Sequence, residues 1–86
     1  QTLNNHYDIQ VGRGASINIQ VDSGDVNIHT IEGKINMNAG GDYNLKVGGN
    51  YTVTVGGNTS ETIEGTKTSN TTGAVIHRGS TIDLNP

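Results

Sequence analysis

The sequence predicts an all-β repeat array whose apolar core is shared between chains, and three observations carry that expectation. Gly33, Gly41, Gly49, Gly57, Gly65 and Gly73 recur every eight residues. Two residues before each stand Ile31, Ala39, Val47, Val55, Ile63 and Thr71, mostly aliphatic. The chain is only 86 residues long and 30% hydrophobic, without Phe, Trp or Cys. A fixed short period means one unit stacked on copies of itself. Eight residues hold one strand of five or six residues and a turn, and are too few for a helical repeat.

The clearest units are Tyr43-Asn44-Leu45-Lys46-Val47-Gly48-Gly49-Asn50 and Tyr51-Thr52-Val53-Thr54-Val55-Gly56-Gly57-Asn58. Side chains alternate along a strand, so the odd positions share one face. One column runs Ile31, Ala39, Val47, Val55, Ile63, Thr71 and a second runs His29, Met37, Leu45, Val53, Glu61, Ser69. Even positions such as Asn44, Lys46, Thr52 and Thr54 make the solvated face. The glycines fall at corners, where either a positive φ or the close approach of another backbone excludes a side chain. A single ribbon would leave its narrow apolar face wet, whereas three ribbons wound together bury it on a common axis. The expected core is Ile31, Met37, Ala39, Leu45, Val47, Val53, Val55 and Ile63.

Three regions follow. Residues 1–30 hold alternating stretches, Ile9-Gln10-Val11 and Ile17-Asn18-Ile19-Gln20-Val21, with turn signals at Gly12-Arg13-Gly14 and Asp22-Ser23-Gly24-Asp25, outside the octad register. Residues 31–73 are the regular array. Residues 74–86 form a distal tip in which the register breaks, closing on Asn85-Pro86. A first residue of Gln instead of Met predicts a fragment of a longer polypeptide.

Composition excludes several functions. A net charge of -3 without a basic cluster argues against nucleic-acid binding, which depends on grouped Lys and Arg. The lack of cysteine removes disulfides and thiolate metal sites. No apolar run is long enough to span a bilayer as a helix. Gly12-Arg13-Gly14 lacks the third glycine of a phosphate loop and reads as a turn. Gly40-Gly41-Asp42 lacks the second Gly-x-Asp element of a calcium-binding solenoid. Neither scattered acids nor three Tyr build the carboxylate cleft of a glycosidase, so an enzyme is not expected.

Two groups in the inward columns are chemically unusual. His77 lies six octads from His29, and three inward copies could hold a transition metal or other axial ion. A hydrogen-bonded or solvent-facing His77 is the ordinary alternative. Glu61, with Lys67 six residues on, would place three carboxylates on the axis, which need compensation by Lys67 of a neighbouring chain, an ion or water. A wider rod with Glu61 in water is the other reading. No cofactor is otherwise expected.

The run from Val47 to Asn58, V-G-G-N-Y-T-V-T-V-G-G-N, resembles the octad repeat of the C-terminal needle of T-even-type phage tail lysozymes and of the valine-glycine repeat spikes (VgrG) of type VI secretion systems. Gly79 to Leu84 is similar to the closing motif of those needles, and the resemblance covers about residues 31–86. It implies a homotrimeric, intertwined, triangular β-helix that serves as the membrane-piercing spike of a contractile tail baseplate, with no lysozyme domain in this stretch. It further implies a PAAR-repeat tip protein on the blunt end, baseplate or hub proteins joined through a preceding segment, and transient contact with a bacterial outer membrane. The location implied is the virion tail baseplate, or the secreted spike of a type VI system; a trimeric adhesin or fibre stalk is the remaining alternative. In this frame Ser80, Ile82, Asp83 and Leu84 form the cap-binding face.

Overall fold

A computed structural model of the chain describes residues 6–85, and residues 1–5 and Pro86 lie outside it. The chain divides into two units, Gln1–Asn44 and Leu45–Pro86. Each is built of short extended segments that end in bends.

In the first unit residues 6–12 lead to a turn at Arg13 and Gly14. The Ala15 N–H donates to the Gly12 carbonyl at 3.3 Å, and Gly14 has φ +81°. A positive φ at the third residue is that of a type II turn, which selects glycine there. The chain then bends at 22–24, 31–33 and 40–41. Gln20 Nε2 donates to Asp22 Oδ1 at 3.1 Å beside the first of these, and the Gly33 N–H donates to Thr30 Oγ1 at 3.1 Å across the second.

In the second unit the bends are at 48–49, 56–57, 64–65 and 72–73, each closing on an octad glycine. Exactly six residues would be too long for a turn and suffice for a strand, and 50–55, 58–63 and 66–71 are such segments. Residues 74–79 keep the same length before a further bend at Ser80, and Leu84 bends the chain once more.

Among the described residues no side chain is buried and no strand ladder forms. The segments have strand length and strand alternation without strand pairing. The backbone donors and acceptors of these segments are left to water or to another backbone.

Candidate functional site

The feature with functional potential is the repeated apolar face. Met37 and Ala39 precede the bend at 40–41 and Tyr43 follows it, and with Asn38 and Gly41 they line a hollow of about 310 Å³. Farther along, Leu45, Val47, Val53, Val55 and Ile63 are all exposed, Val47 at 43% and Val53 at 62%. Alternation puts them on one side of their segments, with Lys46, Thr52, Thr54 and Thr62 on the other.

The octad glycines border this face. Among the described glycines only Gly14 has a positive φ, so the first of the two reasons for glycine at the corners does not apply to Gly41, Gly49, Gly57, Gly65 or Gly73. A Cβ built on any of these five would meet nothing of its own chain within 4 Å. Gly33 differs, since its Cβ would stand 3.0 Å from Thr30 Oγ1.

Lys67 Nζ donates to Glu61 Oε1 within one chain. Compensation for Glu61 is therefore available without a neighbour. Both side chains are more than half exposed, where such a pair contributes about 0–1 kcal/mol. His77 and Asp83 are exposed, as are Ser80 and Ile82, and Leu84 at 90% is the most exposed large aliphatic side chain described. Among the described residues no three His, Cys, Asp or Glu side chains gather into a metal-binding group.

The family model described as the Gp5 C-terminal repeat matches residues 41–70, in three copies. Residues 41–70 are thus similar to the Gp5 C-terminal repeat. The match falls within the stretch in which the bends recur at a strict eight residues, and it includes Gly41, Gly49, Gly57 and Gly65. That repeat family implies a β-helix needle, a structural protein of the phage tail-spike type and a component of the virion tail. Comparisons with curated proteins and with solved structures returned no match.

The resemblance was legible in the sequence. The pairing of Lys67 with Glu61 of the same chain was not. Their six-residue separation spans a bend at 64–65, which brings the end of one segment's side chain toward the start of the next.

Proposed function

We propose that this chain is one strand of a homotrimeric, intertwined β-helical spike, a non-enzymatic device that punctures a bacterial envelope when a contractile tail baseplate fires. One observation carries the reading: a chain bearing the Gp5 repeat has an ordered apolar face and buries none of it. Three copies wound about one axis would cover Met37, Ala39, Leu45, Val47, Val53, Val55 and Ile63 together. Burial of apolar area at about 25 cal/mol per Å² then supplies the stability that one chain lacks.

The glycines support the same arrangement. At Gly41, Gly49, Gly57, Gly65 and Gly73 neither backbone conformation nor a contact within the chain demands the absence of a side chain. The approach of a second chain's backbone does. A rod with each segment paired above and below leaves no long free edge.

At the distal end the exposed Ile82 and Leu84, flanked by Ser80 and Asp83, would present a small apolar platform to a PAAR-type tip protein, and three His77 would offer an axial ion site. Residues preceding this segment would join the rod to the baseplate hub. A VgrG-type spike of a type VI system shares every one of these features and differs in the particle that carries it. The trimer reading is tested on a denaturing gel: an unheated sample should run as a detergent-resistant trimer that collapses to monomer on boiling. A monomer band in both lanes contradicts it.

A further inference from the structure

We propose that the array begins at Ser16 and not at Ile31, because residues 16–24 and 25–33 are two nine-residue versions of the same repeat. The inference rests on the trimeric reading above and changes which residues of its upper end face the axis. Ile17, Ile19 and Val21, then Val26, Ile28 and Thr30, take the inward positions; His29 and Ile31 do not.

The bends supply the first argument. Those at 40–41, 48–49, 56–57, 64–65 and 72–73 are two residues long, whereas 22–24 and 31–33 are three. All seven end on a glycine, and Gly24 and Gly33 are nine apart where the later glycines are eight apart. Six extended residues, 25–30, lie between the two longer bends, as in the octads that follow. The additional residue therefore sits in the bend and not in the strand.

An additional residue in a bend reverses the parity of everything before it. In the octads the inward residues are the second, fourth and sixth of each extended segment, as in Tyr43, Leu45 and Val47 of 42–47. Counting in the same way over 25–30 gives Val26, Ile28 and Thr30. The alternation of the sequence changes phase at the same place: its aliphatic residues stand at odd positions up to Val21, at even positions for Val26 and Ile28, and at odd positions again from Ile35 to Ile63.

Exposure gives a separate argument at the sixth position, where Val21 at 44% matches Val47, Val55 and Ile63 at 43%, 47% and 45%. Ile31 at 89% has no counterpart in that column. It is the first residue of the 31–33 bend, the added one.

The two longer bends also share a construction that the octad bends lack. A Cβ on Gly24 would stand 3.3 Å from Val21 Cγ1, and one on Gly33 would stand 3.0 Å from Thr30 Oγ1. In each case the sixth residue of the segment folds its side chain over the glycine three residues later. At Gly41, Gly49, Gly57, Gly65 and Gly73 that space is open.

The consequence is a rod with eight repeats, 16–24 to 74–81, whose first two corners are wider by one residue. Ile28→Asp, His29→Asp and Ile31→Asp, made separately in the full chain, test the assignment by thermal melting and sedimentation. Ile28→Asp should abolish the trimer or lower its melting temperature by more than about 10 °C, because three unpaired carboxylates enter an apolar layer. His29→Asp and Ile31→Asp should stay within about 3 °C of the parent, as exposed substitutions do. Equal effects in all three, or greater damage from His29→Asp or Ile31→Asp, overturn the proposal. A parent chain that sediments as a monomer would overturn the trimeric reading instead, so the two failures are distinguishable.

Discussion

The Gly33 N–H donates to Thr30 Oγ1 at 3.1 Å and closes a bend one residue longer than those that follow it. The hydroxyl takes the donor that the departing chain would otherwise leave unmade, and the glycine gives it room. Thr30→Val keeps the shape and removes the acceptor. It should cost about 0.5–1.5 kcal/mol for each chain, seen as a lower melting temperature, and Thr30→Ser should restore it. Identical melting of all three proteins would show that the bend does not depend on this bond.

Val55 and Thr54 are neighbours on opposite faces of one segment. Val55→Asp should prevent assembly, since three charges meeting in an apolar layer each cost several kcal/mol when unpaired. Thr54→Asp should change the melting temperature little. Comparable losses in the two variants would contradict the alternation.

Gly57 distinguishes a lone chain from an assembled one. With no positive φ and no neighbour of its own within 4 Å, Gly57→Val is harmless to a single chain. In the trimer the same side chain meets another backbone, and assembly should fail or weaken sharply. A Gly57→Val trimer as stable as the parent, measured by chemical denaturation, would remove the reason given for the glycine column.

Much of this was legible in the sequence, and the part that was not has a definite cause. Gly41, Gly49, Gly57, Gly65 and Gly73 mark corners where the structure bends, and the type II turn stands at Gly12-Arg13-Gly14 as its glycines suggest. In the proposed register Ile31 leaves the inward column, although counting back by eight from Ala39 lands on it. Gly33 also keeps the octad spacing, so the added residue is hidden at the front of the bend, and only the phase of Val26 and Ile28 betrays it. The Glu61–Lys67 pair was illegible for another reason. Residues six apart on one strand face the same side without meeting, and only the bend at 64–65 lets them touch.

That pair has its own test. In an assembled core, Lys67→Val alone leaves Glu61 without its partner and should be the most damaging change. Glu61→Val combined with Lys67→Val should be at least as stable as the parent, because apolar replacements of a buried pair are often neutral or better. If the single and double variants melt together, the pair stands in water and belongs to the outside of the rod.

At the tip, Leu84→Ser separates docking from packing. Lost binding of a PAAR-type cap in a pull-down, with the melting temperature unchanged, supports a docking face made by Ile82 and Leu84. A less stable trimer that still binds its cap shows that these side chains plug the core instead.

Sedimentation equilibrium on the purified chain at micromolar concentration tests the central claim most directly. The account predicts a single species of three times the 9.0 kDa of one chain, with no folded monomer on dilution. A folded 9.0 kDa monomer with its apolar face exposed would contradict it.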